Sequence, residues 1–239
     1  MAVVLHTTCG DLPILLYYKE CPKCCFNFLA LCAASYYNNC AFYRHFPTIL
    51  LQAGDPTNKG KGGESIFSFQ TEEEKGEKVD HGDGGEAADA PRGAKKNARK
   101  RFFEDEGFGV TFHGKRGTLS MAHKGAAADT NASQFFISLN PQSSFDGVYS
   151  CFGEVLLDGY YVVTGDGVGE VRPLQAADGP PERAAVPARP RISGDEALQA
   201  LEEAASGIDT KNMVIDCEKV QIISTTVLFN PFAEGLMKL

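Results

Sequence analysis

Short runs of apolar and β-branched residues, bounded by turn-forming residues, predict β-strands near both ends of the chain. Between the first two runs, Gly10 can adopt the positive φ that a tight hairpin needs. The clearest predicted strands are Val3–His6, Leu12–Tyr17, Ala41–Arg44, Leu50–Ala53 and Val220–Phe229. In all, about eight short β segments are expected, which favours a mainly-β fold.

Two further segments have the spacing of α-helices. Pro22–Tyr36 begins with a proline, which suits the first position of a helix. Its predicted apolar face consists of Phe26, Leu29, Cys32 and Ala33. Ser193–Glu196 has the pattern of a capping box and precedes a second apolar repeat, for which Gly207 is the predicted stop.

Two segments depart from these patterns and are predicted insertions in a single domain that spans residues 1–239. Residues 71–91 hold eight acidic residues against two lysines, and residues 92–101 hold six basic residues and no acidic one. Such a charge-split stretch with few large apolar residues is typical of a disordered insertion. Its basic half could be a nuclear-import signal, an RNA-phosphate contact or a solvated loop. Residues 164–192 contain five prolines and predict a stiff Pro/Ala-rich loop.

About 180 residues remain without these insertions, with one helix early and one late in the chain. An antiparallel barrel closed by strands from both termini fits this order better than repeated βαβ units. Hydrophobic residues make up 43% of the chain, enough for a core, and no apolar run reaches the length of a transmembrane helix. The net charge of −8 argues against a surface that binds nucleic acid throughout.

The eight cysteines and the glycine-rich loop invite other functions. Cys21 and Cys24 form a CxxC pair, but no second pair exists, and the five histidines lack metal-ligand spacing. Reduced thiols that pack in the core are therefore favoured over redox or metal chemistry. The loop Gly60–Gly63 is followed by Glu64 and lacks the Lys-Ser/Thr pair of a phosphate-binding loop.

Two segments stand out because together they match one long motif. The first is Phe42–Asp55, FYRHFPTILLQAGD; the second is the block Gly117–Ala122, GTLSMA, which continues through Asn131–Ile137 as NASQFFI. These segments resemble the cyclophilin family of peptidyl-prolyl isomerases. Asn27–Cys32, Phe152–Val155 and Asn230–Ala233 extend the resemblance, which is strongest to the single-domain, spliceosome-associated type.

The resemblance implies a closed eight-stranded antiparallel β-barrel with two capping α-helices and two inserted loops. It also assigns Arg44 as the donor of a hydrogen bond to the proline nitrogen of the substrate. Gln52 would orient Arg44 and touch the substrate backbone. Phe136 would form the floor of the proline pocket. Ala122 and His123 would offer backbone groups to the residue before proline, and Gln134 would line the neighbouring groove.

The chain departs from the family pattern mainly at the proline pocket. Ile49 and Leu50 stand where the family has a Phe-Met pair, which keeps apolar volume but loses an aromatic wall. Ser144 replaces the tryptophan of the pocket rim, so we expect weak cyclosporin binding. Phe145 replaces a leucine and could partly refill the pocket. Tyr149 stands in place of a histidine, and its hydroxyl could bond a substrate carbonyl.

Two functions follow from this resemblance. The first is prolyl cis–trans isomerisation of proline-containing peptides or proteins, for which no cofactor or metal is expected. The alternative is a catalytically weak module that binds proline-containing segments as a scaffold in a nuclear ribonucleoprotein, with spliceosomal proteins as partners. The acidic chain has no aromatic RNA-binding signature, which argues against direct nucleic-acid binding. We expect no membrane association, and a location in the nucleus, the cytoplasm or both.

Overall fold

A computed structural model describes residues 2–69, 101–163, 169–173, 193–230 and 232. Eight of the strands form one antiparallel sheet in the order β10-β1-β2-β7-β5-β6-β4-β3, and β8 and β9 form a separate hairpin. The helices are α1 (Pro22–Ala33) and α2 (Gly194–Ala204). The strands are β1 (Ala2–Thr7), β2 (Gly10–Leu16), β3 (Arg44–Phe46), β4 (Leu50–Ala53), β5 (Thr118–Met121), β6 (Phe135–Ser138), β7 (Cys151–Val155), β8 (Gly159–Val163), β9 (Gly169–Pro173) and β10 (Ile222–Phe229).

The mainly-β prediction with two helices is confirmed, and the eight-stranded sheet is curled. The two end strands, β3 and β10, share no continuous ladder among the described residues. Instead, Ala41 pairs with Gln221 and Arg44 with Met213 in isolated bridges. The confirmed fold is thus a curled antiparallel sheet of eight strands. The closure of this sheet into a barrel, which the sequence predicted, is not confirmed.

The predicted strand Ala41–Arg44 is displaced toward the hairpin in the structure. β3 begins at Arg44 because its pairing with β4 starts at the hairpin loop, where Phe46 faces Leu50. Thr48, in the middle of that three-residue loop, adopts a left-handed φ of 64°. Ala41 lies outside the ladder because the segment before β3 runs beside the residues that precede β10, where the Phe42 N–H donates to the Val220 carbonyl.

Both predicted helices are present, with one shorter than expected. α1 ends at Ala33 rather than Tyr36, because Ser35 takes a left-handed φ of 56° that stops the helix. α2 starts with the predicted capping box, in which the Glu196 N–H donates to Ser193 Oγ and the Ser193 N–H donates to the Glu196 carboxylate.

The two predicted insertions lie mostly outside the described residues. Of the charged segment, only Arg101 is described. Residues 169–173 of the second segment are not loop but strand β9, which pairs with β8. Residues 164–168 and 174–192 lie outside the described residues.

The core lies between α1 and the inner face of the sheet. Phe28 of α1 packs its ring against Tyr37, Phe135 and Phe152 at centroid distances of 5.3–5.4 Å. All eight cysteines fall within the described residues and carry free thiols, six of them buried. Burial raises the pKa of the Cys21 thiol to about 12, which fits a packing role for this residue.

Candidate active site

The register of four neighbouring strands separates outward-facing from inward-facing side chains. Arg44 lies opposite Gln52, Gln52 opposite Phe136, and Phe136 opposite Ser120. Residues directly opposite each other in an antiparallel sheet share a face, so these four form one cross-strand row. The adjacent row points to the core and consists of His45, Leu51, Ile137 and Leu119, all buried.

Arg44 holds a charged group at the end of the outward row. Its guanidinium carbon lies 5.9 Å from the centre of the Tyr43 ring. The Nε atom is buried and has no hydrogen-bond acceptor among the described residues. A buried donor without an acceptor is costly in a folded protein.

Gln134 organises the polar side of the row. Its Oε1 accepts hydrogen bonds from the Tyr43 hydroxyl at 2.6 Å and from Gln52 Nε2 at 2.9 Å. Its own Nε2 donates to the Gly62 carbonyl at 2.8 Å. Gln52 therefore bonds Gln134, and the predicted contact through which Gln52 would orient Arg44 is absent from the hydrogen bonds of the described residues.

Three aromatic rings gather beside this row. The Phe136, Phe145 and Tyr149 ring centroids lie 5.2–5.5 Å from one another with edge-to-face geometry. Phe136 is 3% exposed, while Phe145 and Tyr149 are half-buried. The cluster thus presents an apolar surface next to Gln52 and Arg44, and Phe145 is part of it.

Ile49 and Leu50 lie at the β3–β4 hairpin. Ile49 is 38% exposed in the loop, and its carbonyl accepts a hydrogen bond from the Leu139 N–H. Leu50 alternates with the buried Leu51, so it shares the outward face with Gln52. Ser144, at the predicted rim position, is exposed in the turn that also carries Phe145.

Ala122 and His123 directly follow the end of β5, and His123 lies next to Tyr149 of the aromatic cluster. The Ala122 N–H is used within the fold, since it donates to the Gln134 carbonyl at 2.9 Å. The His123 side chain is 3% exposed and points inward, where its Nε2 lies 2.7 Å from Asp105 Oδ1. The centroid of its ring lies 4.9 Å from that of the Tyr149 ring, so His123 packs against Tyr149.

The sequence reasoning missed a buried polar chain beneath the aromatic cluster. His113 Nδ1 lies 2.8 Å from Asp146 Oδ1, and its Nε2 lies 2.7 Å from Ser120 Oγ. The His113 ring stacks on Phe136 at 6.3 Å and meets Phe145 edge-on at 5.7 Å. His113 and Ser120 are seven residues apart, Asp146 lies 33 residues after His113, and no local motif marks the three.

This chain has the connectivity of an Asp-His-Ser triad, but its burial does not suit a hydrolase. Ser120 is 0% exposed, so its hydroxyl cannot reach a substrate. Burial lowers the pKa of His113, although Asp146 partly opposes the shift. Burial alone would raise the pKa of Asp146, but hydrogen bonds from His113 outweigh this and hold it below its usual value. A neutral His113 that donates to Asp146 and accepts from Ser120 satisfies all three groups.

The glycine-rich loop binds a carboxylate of its own chain. The buried Asp55 side chain accepts hydrogen bonds from the backbone N–H groups of Thr57, Lys59, Lys61 and Gly62. A Cβ added at Gly62 would lie 2.2 Å from Asp55 Oδ1, so the loop needs glycine there. The backbone N–H groups of this loop thus bind an anion, as those of a phosphate-binding loop do, but the anion is the Asp55 carboxylate of the same chain. The loop also holds the Gly62 carbonyl where it accepts a hydrogen bond from Gln134.

Among the described residues, no group of three or more His, Cys, Asp or Glu side chains is placed to hold a metal ion. No helix in the same part of the chain has the length and apolar character needed to cross a membrane.

Comparisons with known proteins agree with the motif. Residues 2–175 match the family model described as "Cyclophilin type peptidyl-prolyl cis-trans isomerase/CLD". The chain is 42% identical over 160 residues to peptidyl-prolyl cis-trans isomerase 10 of Caenorhabditis elegans, covering 67% of this chain and 78% of that protein. It is 39% identical over 156 residues to the mouse peptidyl-prolyl cis-trans isomerase-like 3, covering 65% and 76% of the two chains.

A solved structure extends the similarity to three dimensions. It is a cyclophilin-type peptidyl-prolyl cis-trans isomerase of Cryptosporidium parvum, crystallised in the presence of the dipeptide Ala-Pro. The two structures align with a TM-score of 0.62 and 28% identity, over 96% of this chain and all of the other.

The buried His113 chain predicts a pH-dependent stability. Because the folded state lowers the pKa of His113 below its ordinary value of 6.5, folding favours neutral histidine, and this contribution is lost as the pH falls through the folded pKa. At pH 7.5 we expect the free energy of unfolding of wild type to exceed that of His113→Gln by about 1–3 kcal/mol. The difference should shrink as the pH is lowered to about 5. Chemical denaturation at several pH values measures it, and a difference independent of pH would contradict the assignment.

Proposed function

Since this chain belongs to the cyclophilin-type peptidyl-prolyl cis–trans isomerase family, we propose that it accelerates rotation about X–Pro bonds in protein substrates through Arg44, with a remodelled proline pocket. The observation that carries this proposal is the cross-strand row from Arg44 through Gln52 to Phe136, which sets a half-buried arginine side chain on the same face as an apolar cluster of three rings. A proline ring against the cluster would bring its nitrogen toward the Arg44 guanidinium.

The chemistry of the reaction explains why an arginine suffices. Rotation about an X–Pro amide crosses a barrier of about 18–20 kcal/mol because it breaks amide resonance. In the twisted state the proline nitrogen becomes pyramidal and exposes a lone pair, which the planar ground state does not offer. A hydrogen bond to that lone pair therefore stabilises the transition state selectively. Arginine is always charged, so it donates without proton transfer.

The other predicted residues supply binding and orientation in this proposal. Phe136, Phe145 and Tyr149 hold the proline ring, and the Tyr149 hydroxyl is available for a substrate carbonyl. Gln52 contacts the substrate backbone in this proposal. Its side-chain amide is held by the hydrogen bond to Gln134, so it does not orient Arg44. Backbone groups at Ala122 and His123 flank the residue before proline, apart from the Ala122 N–H that bonds Gln134.

The proline pocket is remodelled on the side formed by Ile49, Leu50 and Ser144. Ile49 is exposed and aliphatic, and Ser144 is a small exposed residue, so this side offers less apolar cover than an aromatic wall and rim would. Phe145 supplies part of the missing aromatic surface from below. We propose that this geometry weakens the binding of bulky apolar ligands such as cyclosporin more than the binding of a proline ring.

Arg44 is tested by substitution. We expect Arg44→Ala to lower kcat/KM for an Ala-Pro peptide by about 100-fold or more, the usual cost of removing one transition-state hydrogen bond. NMR exchange spectroscopy measures the cis–trans rate without a coupled protease.

Arg44→Lys is the matched variant, since it keeps the charge but loses the planar guanidinium donors, and it should also lose most of the activity. Both variants should unfold near the wild-type midpoint, because the Arg44 Nε–H donates no hydrogen bond to any of the described residues. Wild-type rates in folded Arg44→Ala would contradict the proposal.

The pocket rim is tested with cyclosporin. We expect weak binding to wild type, and a gain of about tenfold or more in Ser144→Trp, which restores an aromatic surface at the rim. Ser143→Trp, at the neighbouring exposed position, is the control and should not show the gain. Tight binding to wild type, or equal gains in both variants, would refute the rim assignment; calorimetry gives the affinities.

The second candidate function is a proline-binding scaffold in a nuclear ribonucleoprotein, with spliceosomal proteins as partners. Ile49, Leu50 and Ser144 favour it, because a reduced pocket suits binding better than turnover. The basic residues 92–100 would then serve as an address or a contact, and the protein would lie in the nucleus, the cytoplasm or both.

Deleting residues 92–100 tests the address without disturbing Arg101, whose Nε donates to the Gly63 carbonyl at 2.7 Å. We expect loss of nuclear accumulation of a fluorescent fusion and unchanged isomerisation. Deletion of the nine residues 80–88 is the length-matched control and should leave both unchanged. An unaltered distribution after deletion of 92–100 would eliminate the address.

A further inference from the structure

Tyr43 lies directly before β3, which begins with Arg44, and its side chain is enclosed by the fold. The residue is 0% exposed, and its carbonyl accepts a hydrogen bond from the Val214 N–H at 2.9 Å. A Cβ added at Gly60 would lie 3.1 Å from Tyr43 Cε2, so the glycine-rich loop packs closely on the ring. The position of the Tyr43 hydroxyl is therefore fixed before any substrate binds.

The Tyr43 hydroxyl donates one short hydrogen bond, and its acceptor belongs to the candidate active site. That acceptor is Gln134 Oε1, at 2.6 Å. Burial raises the pKa of Tyr43, although Arg44 partly opposes the shift, so the hydroxyl stays protonated and remains a donor at neutral pH. Gln134 Nε2 donates to the Gly62 carbonyl at 2.8 Å. Since a carbonyl only accepts, this second bond fixes which end of the Gln134 amide faces Tyr43.

The orientation of Gln134 in turn determines that of Gln52. Gln134 Oε1 also accepts from Gln52 Nε2, at 2.9 Å. The amide nitrogen of Gln52 is thus held by Gln134, while Gln52 Oε1 takes no hydrogen bond among the described residues. Because Gln52 lies in the outward row between Arg44 and Phe136, its oxygen is the end left for a bound peptide. Gln52 therefore meets the substrate with an acceptor for a backbone N–H.

We propose that Tyr43 is a positioning residue of the candidate active site, whose hydroxyl holds Gln134 and thereby the side-chain amide that Gln52 offers to the substrate backbone. This role rests on the proposed isomerase function and deepens it. It acts on binding, because the substrate backbone that Gln52 contacts is present in both the planar and the twisted state of the X–Pro bond. The rate of rotation itself depends on Arg44.

Tyr43→Phe isolates this role, since it removes the hydroxyl and keeps the ring that lies 5.9 Å from the Arg44 guanidinium carbon. We expect KM for an Ala-Pro peptide to rise about two- to tenfold, the effect of one hydrogen bond, with kcat nearly unchanged. The Gln52 side-chain amide resonances of the free protein should also shift, because Gln134 Oε1 loses one of its two donors. A purely structural loss would lower the unfolding midpoint and move neither KM nor these resonances.

Tyr37→Phe is the matched control. Tyr37 is also 0% exposed, and its hydroxyl donates to a backbone carbonyl, that of Ser133, at 3.0 Å. The variant loses one buried hydrogen bond, as Tyr43→Phe does, but this bond does not involve the side chain of Gln134 or Gln52. It should lower the unfolding midpoint to a similar extent and leave KM and the Gln52 resonances unchanged.

A double-mutant cycle shows whether the Tyr43 hydroxyl acts through Gln52. In a Gln52→Ala background, Tyr43→Phe should raise KM no further. The proposal fails if Tyr43→Phe leaves KM and the Gln52 resonances unchanged, if Tyr37→Phe raises KM equally, or if the effect of Tyr43→Phe persists without Gln52. A wild type without turnover would refute the isomerase function instead, and the Gln52 resonances of the free protein would still decide the role of Tyr43.

Discussion

The register of β3, β4, β6 and β5 is the constraint on which the rest of this molecule depends. It sets Arg44, Gln52, Phe136 and Ser120 in one row on the outer face and turns the neighbouring row into the core. A slip of one residue in any of these strands would exchange the faces, burying a guanidinium and exposing leucine and isoleucine. Burial of the inner row thus fixes the geometry of the candidate active site.

Two irregular segments hold this register from outside the strands. The Asp55 loop fixes the Gly62 carbonyl, to which Gln134 donates. The segment that follows residue 100 is bound at several points. Arg101 holds the Gly63 carbonyl, Asp105 binds His123, and the Glu106 carboxylate accepts from the N–H groups that begin α1. Residues 101–106 thus contact the glycine-rich loop, His123 and the start of α1.

Much of the fold was predictable because its signals are local. Apolar runs located most strands, and the Ser193–Glu196 box marked the start of α2. The motif around Arg44 and Phe136 led to the family, since a long ordered pattern is specific in a way that single residues are not. The start of β3 was misplaced because hairpin pairing at Thr48, and not local composition, determines it.

Other features of the site could not be read from the sequence because they arise from distant contacts. The bond from Gln52 to Gln134 depends on pairing between β4 and β6. The chain from Asp146 through His113 to Ser120 joins residues of three separate segments, and each looks ordinary in its own sequence context.

The central claim is that the outward row receives a prolyl peptide with the Arg44 guanidinium directed at its proline nitrogen. An NMR spectrum of the Arg44 Nε–H resonance, recorded with and without a saturating Ala-Pro peptide, tests this most directly. The account predicts a shift of that resonance, with contacts between the proline ring protons and the Phe136 and Tyr149 rings. An unchanged resonance in a peptide-saturated protein, or proline contacts elsewhere on the sheet, would contradict it.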